Sequence, residues 1–280
     1  MLHRPQSTAE ALALLAGGEG TPIAGGTDIY PALVDRPPPA ALIDLSRLGD
    51  LKGVTSDSST LRIGAATTWS EIAKSALPPA FDMLRQAARQ IGAIQIQNRA
   101  TIGGNLCNAS PAADGAPPLL ALDAEVELAS PRGSRRMPLE QFTLGNRRTA
   151  RAVDEIMTAV ITPQQPATAR STFLKLGARD YLVISIVMVA ALLDIDRNNT
   201  IRAARIAIGA ASPTAQRLRD LEARLIGRPA DARIADDLSP ADFAALNPID
   251  DVRATAAYRL EAAHELVRRA LLELAGVAYV

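Results

Sequence analysis

The stretch Asn98-Arg-Ala-Thr-Ile-Gly-Gly-Asn-Leu-Cys-Asn-Ala-Ser-Pro-Ala-Ala-Asp114 places two adjacent glycines among small polar residues and ends in a single acid. Glycine lacks the Cβ atom that would hold a ligand away from the backbone. Successive N–H groups that turn the same way form a concave anion site. Pro111 suits the first turn of a helix, so we expect Ser110 to be the N-cap of a helix over 112–122. This second glycine segment (98–114) therefore predicts a phosphate cradle that opens into a helix.

An earlier glycine pair lies in Thr21-Pro-Ile-Ala-Gly-Gly-Thr-Asp-Ile-Tyr30, which we call the first glycine segment (21–30). A short apolar strand leads into Gly25 and Gly26, and a helix is expected over 27–34. One such segment is weak evidence, but two in one chain favour a ligand with two phosphates held between two lobes. Neither segment contains G-x-G-x-x-G or G-K-[ST], so a Rossmann site and a P-loop both lack their signature.

Composition excludes several classes of protein. The 280 residues carry 30 basic and 30 acidic side chains, so their balance gives no support for nucleic-acid binding or a polybasic membrane surface. Cys107 is the only cysteine, which excludes an internal disulfide and a Cys-rich metal site. The two histidines, His3 and His264, lie at opposite ends of the chain, so neither a metal site nor a Ser-His-Asp triad is expected. With no apolar run long enough to span a membrane and no signal-peptide pattern, the expected location is the cytoplasm.

The pattern along the chain predicts an α+β fold. Alternating short strands and helices indicate a small lobe over about 1–50 and a larger α/β lobe over 51–166. Apolar runs at 170–176, 184–195 and 201–209 then predict a three-stranded antiparallel sheet. Helices are expected over 215–225, 240–246 and 251–274, which completes a C-terminal domain over 167–280.

A family resemblance rests on Ile-Ala-Gly-Gly-Thr-Asp at 23–28 and on Thr-Ile-Gly-Gly-Asn-Leu with Ala-Ser-Pro-Ala-Ala-Asp at 101–114. These motifs resemble the FAD-binding subunit of the molybdenum hydroxylases, a family that includes xanthine dehydrogenases and carbon monoxide dehydrogenase. The similarity continues in order through 61–66, 154–163, 173–176 and 251–259, so it covers nearly the whole chain. It implies a two-lobed FAD-binding domain of the vanillyl-alcohol oxidase (PCMH) type over 1–166, followed by the sheet-and-helix domain.

The resemblance also implies one non-covalent FAD, with the first glycine segment laying its backbone N–H groups on the pyrophosphate. No metal ligand and no catalytic acid or base is expected on this chain, since the cofactor performs the chemistry. The residues that the resemblance places at the cofactor are Ile23, Ala24, Gly25, Gly26, Thr27, Asp28, Ile29, Ile63, Ala65, Thr101, Gly103, Gly104, Asn105, Asn108, Asp114 and Lys175.

Four of these residues have a second interpretation. Asp28 is equally well explained as a helix N-cap, and Asp114 as an acid favoured in the first turn of a helix, rather than as an acceptor for ribityl or ribose hydroxyls. Ile63 is either a core strand residue or a contact of the isoalloxazine ring. Lys175 lies either on a solvated strand face or at the polar edge of the flavin, where a cation would stabilise reduced anionic flavin.

The function implied is electron transfer within a complex. A large subunit with a molybdenum cofactor would oxidise the substrate, and a small subunit with [2Fe–2S] clusters would pass electrons to this FAD, in a heterotrimer or its dimer. NAD, oxygen or a quinone would be the acceptor. Two alternatives stay open: a free-standing FAD oxidase of the vanillyl-alcohol oxidase type, which would need a substrate-binding cap, and a scaffold that has lost FAD.

Overall fold

The computed structural model describes residues 1–34, 37–180, 182–236 and 238–278. The fold is α+β with antiparallel sheets, which confirms the predicted class. The chain divides into two compact units. Unit 1 comprises Met1–Lys74, Ile91–Ala109 and Asp123–Gln164, and unit 2 comprises Ser75–Gln90, Ser110–Leu122 and Gln165–Val280. Within the described ranges, the structure contains no helix that combines the length and apolar character needed to cross a bilayer.

The strands, in chain order, are β1 (Leu2–His3), β2 (Thr21–Ile23), β3 (Leu42–Asp44), β4 (Val54–Ser56), β5 (Thr60–Gly64), β6 (Glu125–Ser130), β7 (Gly133–Pro138), β8 (Thr143–Gly145), β9 (Arg148–Thr149), β10 (Ile156–Pro163), β11 (Ala169–Leu176), β12 (Val187–Ile195), β13 (Ile201–Gly209) and β14 (Gln216–Arg217). The α-helices are α1 (Thr8–Ala16), α2 (Trp69–Lys74), α3 (Asp82–Gln90), α4 (Ile94–Gln97), α5 (Ile102–Asn108), α6 (Ala116–Ala121), α7 (Leu139–Phe142), α8 (Arg219–Leu225) and α9 (Ala256–Leu274). Short 3-10 turns lie at Pro31–Leu33, Gly49–Leu51, Pro79–Phe81 and Pro240–Phe243.

Unit 1 contains a small parallel sheet and a larger antiparallel one. Strand β3 pairs in parallel with both β1 and β2, and α1 packs on this sheet. The larger sheet has the order β4-β5-β10-β6-β7, with antiparallel neighbours. Ile43 of β3 and Leu45, which directly follows this strand, share a core with Leu51 and Ile156, so the two sheets are joined by apolar burial.

Unit 2 is built on an antiparallel sheet of order β11-β12-β13-β14. The three predicted strands are present, and the two-residue β14 extends them. Strand β12 is buried over Val187–Leu193 because α6 and α9 both pack against it. The Arg259 side chain of α9, 2% exposed, donates from Nη2 to Asp251 Oδ1 at 2.7 Å and fixes the start of this helix.

Several predicted helix boundaries are wrong. The helix expected over 27–34 is a turn followed by the 3-10 turn at Pro31–Leu33. The helix expected over 112–122 is replaced by α5 before it and by α6, which begins only at Ala116. Ala109 adopts a left-handed φ of 48° and ends α5, so Ser110 does not cap a helix of this chain. The helix expected over 240–246 is the 3-10 turn at Pro240–Phe243, and α9 begins at Ala256 rather than 251.

Candidate functional site

A cavity of about 520 Å³ lies within unit 1. Its wall is formed by parts of both glycine segments and by residues from the later stretch 147–157. Apolar side chains such as Leu51 and Met157 form part of the lining, as is usual for a pocket that holds an organic ligand. The expected cofactor residues that line it are Ile23, Ala24, Gly25, Gly26, Thr27, Asp28, Ile29, Ala65, Thr101, Gly103, Gly104, Asn105 and Asn108.

The first glycine segment presents a row of free backbone donors. The N–H groups of residues 24–29 donate to no acceptor in the part of the chain that the structure describes. These six residues are half-buried and all line the cavity. Backbone N–H groups in folded proteins are almost always paired with protein or water, and a run of them is suited to an anion. The row is therefore a candidate binding site for phosphate oxygens.

The second glycine segment differs, because its donors are already used. The Gly103 N–H donates to the Ala65 carbonyl at 2.9 Å. The Gly104 N–H donates to the Thr101 hydroxyl, the N-cap of α5, at 3.1 Å. The Asn105 N–H donates to the Thr101 carbonyl at 3.0 Å. The prediction that this stretch is a cradle of free N–H groups is therefore wrong: the glycine pair lies inside the first turn of a helix.

The glycines have different reasons for lacking a side chain. A Cβ atom on Gly103 would lie 2.7 Å from the Ala65 carbonyl oxygen, so this glycine allows α5 to pack on the preceding backbone. Gly104 is exposed, and its Cβ would meet only the Thr101 hydroxyl, at 2.9 Å. Gly26 has φ +72°, which L side chains rarely adopt. Of these three residues, Gly104 is the one that keeps the cavity wall open.

Gly25 joins the two glycine segments and provides a stability test. A Cβ atom there would lie 2.0 Å from the Arg99 carbonyl oxygen. We expect Gly25→Ala to lower the free energy of unfolding of unit 1 by at least about 1–3 kcal/mol, since overpacking against backbone cannot be relieved by a rotamer change. Urea unfolding followed by fluorescence measures it, because Trp69, the only tryptophan, is fully buried in unit 1.

The matched control is Gly49→Ala, where a Cβ atom would have no neighbour within 4 Å. We expect this variant to stay within about 0.5 kcal/mol of the parent. Equal stability of the two variants would contradict the close approach of Gly25 to Arg99.

Asn105 supplies an acceptor that the protein does not use. Its Oδ1 atom is buried and has no hydrogen-bond partner among the residues described. A buried polar atom without a partner costs about 1–3 kcal/mol. A ligand hydroxyl or amine that donates to this oxygen would remove that cost, so Asn105 is the clearest side-chain signal for a ligand in the cavity.

Asp28 is part of a polar cluster with Asn108 and Arg147. Arg147 donates from Nη1 to Asp28 Oδ2 at 2.9 Å and to Asn108 Oδ1 at 3.0 Å, and Asn108 Nδ2 donates to Asp28 Oδ1 at 3.2 Å. The N-cap interpretation of Asp28 is therefore wrong. Arg147 has a left-handed φ of +56°, and its N–H donates to the Ala109 carbonyl at 3.0 Å. No motif in the sequence indicated that this residue belongs to the site.

Two further charged residues of the lining were missed by the sequence analysis. Arg151 donates from Nη1 to the Glu155 carbonyl at 2.7 Å and to the Ala152 carbonyl at 3.1 Å. The Glu155 carboxylate receives Arg135 Nε at 2.6 Å, and this hydrogen bond lowers the pKa of Glu155. Nearby, burial raises the pKa of the Cys107 thiol to about 11, so that thiol is neutral at physiological pH.

Asp114 and Lys175 lie in unit 2, where they form a buried ion pair. The Lys175 Nζ atom lies 2.7 Å from Asp114 Oδ2 and also donates to the Gln90 carbonyl at 3.3 Å. The Ser185 hydroxyl donates to the other carboxylate oxygen at 2.5 Å. Burial raises the pKa of Asp114 against the opposing effect of Lys175.

The structure contradicts one alternative interpretation of Lys175 and one of Asp114, and it supports the core interpretation of Ile63. Lys175 does not lie on a solvated strand face, since its side chain is only 5% exposed. Asp114 precedes α6 rather than lying in a first helical turn. Ile63 is 0% exposed in β5, so its side chain belongs to the core and is not part of the cavity lining.

Comparison with known proteins identifies the class. Residues 1–165 match the family model described as the FAD binding domain in molybdopterin dehydrogenase, and residues 172–274 match the CO dehydrogenase flavoprotein C-terminal domain. The chain therefore belongs to the family of FAD-binding subunits of molybdopterin dehydrogenases, as the sequence motifs predicted.

The relatives align with nearly the whole length of the chain. The xanthine dehydrogenase FAD-binding subunit of Escherichia coli O157:H7 is 32% identical, with 99% of this chain and 96% of that one aligned. The carbon monoxide dehydrogenase medium chain of Hydrogenophaga pseudoflava is 31% identical, over 96% and 94%. Among solved structures, reconstituted CO dehydrogenase from Oligotropha carboxidovorans matches with a TM-score of 0.92 at 29% identity, covering 99% and 98% of the two chains. Quinoline 2-oxidoreductase from Pseudomonas putida 86 matches with a TM-score of 0.90 at 26% identity, also over 99% and 98%.

These relatives are subunits of oxidoreductases, which confirms the predicted enzyme class of this chain as an oxidoreductase subunit. The family model that matches residues 1–165 is an FAD-binding domain, which confirms the predicted cofactor.

Proposed function

We propose that this chain is the FAD-binding electron-transfer subunit of a molybdenum hydroxylase complex. The observation that carries the proposal is the row of six backbone N–H groups at residues 24–29, which line the cavity of unit 1 and have no acceptor among the described residues. Phosphate oxygens are the acceptors that such a row favours. When bound, FAD would supply the redox chemistry, and the protein binds and orients it.

The residues of unit 1 fit a dinucleotide. The first glycine segment donates backbone N–H groups to the diphosphate, and Thr27 and Thr101 add hydroxyl donors. Asn105 accepts from a hydroxyl or amine through its orphaned Oδ1 atom. Gly104 lets the ligand approach the backbone of α5 without contributing a donor, because its N–H is already bonded.

Asp114 and Lys175 act as one group in this proposal. The carboxylate holds the ammonium in place at 2.7 Å, and Ser185 fixes the carboxylate from its other side. The Lys175 ammonium has three N–H donors and uses two of them on Asp114 and on the Gln90 carbonyl. The third can donate to the polar edge of the flavin and so favour its reduced, anionic form. Asp114 keeps further lone pairs on both oxygens, so it can still accept a hydrogen bond from a ribityl or ribose hydroxyl.

The chain organisation and partners complete the proposal. The FAD-binding domain spans 1–166 and the C-terminal domain 167–280, an arrangement that the matches at 1–165 and 172–274 support. The partners are a small subunit with [2Fe–2S] clusters and a large subunit with the molybdenum cofactor. Electrons from the large subunit would reach the FAD through the clusters, and NAD, oxygen or a quinone would accept them.

Two measurements test this role. Acid precipitation of the FAD-loaded chain should release all of the flavin, because the binding is non-covalent.

The second measurement is anaerobic flavin bleaching of the native chain. The isolated chain should show no rapid bleaching with purines, aldehydes or N-heterocycles, since a [2Fe–2S] cluster needs four protein ligands and the chain has one cysteine. Adding the iron–sulfur and molybdenum subunits should produce substrate-dependent bleaching. Rapid bleaching of the chain alone would favour a free-standing oxidase instead.

A further inference from the structure

Two acids and two arginines line the cavity of unit 1, but one of the acids is neutralised by an arginine from outside the lining. The four lining residues are Asp28, Arg147, Arg151 and Glu155 within the ranges that the structure describes. Asp28 is paired with Arg147 at 2.9 Å. Glu155 is paired at 2.6 Å with Arg135, which lies outside the lining. Arg151 is left as the positive charge that no carboxylate of the described chain approaches within 4.0 Å.

Arg151 is also held in place with donors to spare. Its Nη1 atom is occupied by the Glu155 and Ala152 carbonyls, which fixes the guanidinium at the cavity wall. Its Nε and Nη2 atoms donate to no acceptor in the described part of the chain. The residue is half-buried. The neighbouring Cys107 thiol is neutral, so it provides no counter-charge. A sheltered guanidinium with free N–H groups and no counter-ion is a site for an anionic oxygen.

We propose that Arg151 is a further binding residue for the dinucleotide, in which its guanidinium neutralises an oxygen of the anionic diphosphate. This assignment rests on the proposed FAD function, and it adds a full positive charge to the partial charges of the six N–H groups. Arg147 does not take this role, because Asp28 already balances its charge.

The test compares Arg151→Met with Arg148→Met in the full chain. Arg148 is a neighbouring arginine that is exposed and does not line the cavity. The FAD dissociation constant, from quenching of flavin fluorescence, should rise about 10- to 100-fold in Arg151→Met, the loss expected for one charge-assisted hydrogen bond. It should stay within about twofold of the parent in Arg148→Met, as expected for a surface charge outside the site. The parent should lose affinity as salt rises, and Arg151→Met should lose less.

A second variant separates charge from support of the fold. Arg151→Lys keeps the charge and is expected to keep the salt dependence of the parent, while Arg151→Met loses part of it. Should Arg151→Met fail to fold in thermal unfolding, Arg151→Gln, which retains a donor for the carbonyls, takes its place. An unchanged dissociation constant in the uncharged variant, or weaker binding with the salt dependence intact, would overturn the assignment. Absence of FAD binding in the parent chain would overturn the proposed function instead.

Discussion

Gly104→Val is expected to raise the FAD dissociation constant at least about 1,000-fold, equivalent to about 4 kcal/mol, while the chain keeps its fold. Gly104 is exposed on the first turn of α5 and lines the cavity. Its missing side chain leaves open space on every side except at the Thr101 hydroxyl. Three carbon atoms placed there would occupy the volume that the ligand needs, and this block cannot be relieved without moving the helix. Fluorescence titration with FAD measures the loss.

Two control variants separate the block from its side effects. Valine at 104 also disturbs the N-cap, because the Cβ atom would lie 2.9 Å from the Thr101 hydroxyl. Thr101→Val removes that cap at nearly constant volume and should cost about 1 kcal/mol of stability. It leaves the cavity open, so its effect on the FAD dissociation constant should not exceed the loss of the one hydroxyl contact proposed for Thr101, about 10-fold. Gly49→Val places the same side chain where a Cβ atom has no neighbour within 4 Å. If Gly104→Val binds FAD as well as Gly49→Val does, Gly104 does not face the ligand.

Asp114→Ala is expected to lower the free energy of unfolding by about 3–5 kcal/mol, in addition to weakening FAD binding about 10- to 100-fold. The change leaves the ammonium of Lys175 buried, at 5% exposure, without its carboxylate. It also leaves the buried Ser185 hydroxyl without its acceptor. Calorimetry is the suitable measurement, since the only tryptophan lies in unit 1 and does not report on unit 2.

The double variant Asp114→Asn with Lys175→Met should recover most of that stability, because it removes both buried charges at similar volume. Asp231→Ala, which breaks an exposed ion pair with Arg233, should have a much smaller effect. A loss no larger in Asp114→Ala than in Asp231→Ala would show that the buried pair is not a structural element of unit 2.

The fold class followed from the sequence because its signals are local. Uninterrupted apolar runs predict buried strands, and β11, β12 and β13 lie where those runs are. Helix α5 was not predicted, because each of its two adjacent glycines costs about 1 kcal/mol in a helix interior and local propensity therefore favours a loop. Tertiary contacts reverse this preference: the Ala65 carbonyl accepts the Gly103 N–H, and only glycine fits that approach.

The charged part of the candidate site could not be predicted for a related reason. Asp28 and Arg147 meet across 119 positions of sequence, and no periodicity connects them. Lys175 and Asp114 were each selected as ligand contacts, but the ion pair between them needs the two to be neighbours in space, which a linear pattern does not contain. Arg151 carries no motif at all; its significance comes only from the lack of a carboxylate partner among the residues that the structure describes.

The row of free donors at residues 24–29 has a consequence for how this family can diverge. The donors are main-chain atoms, so a substitution at Ala24 or Ile29 changes the side chain and leaves the N–H group in place. Proline is the exception, because it has no N–H to donate. Recognition by these donors therefore depends on the backbone conformation at Gly25 and Gly26 and not on the side chains of Ala24 and Ile29. Orthologues can exchange most letters of this stretch and still present the same electrostatic surface to the ligand.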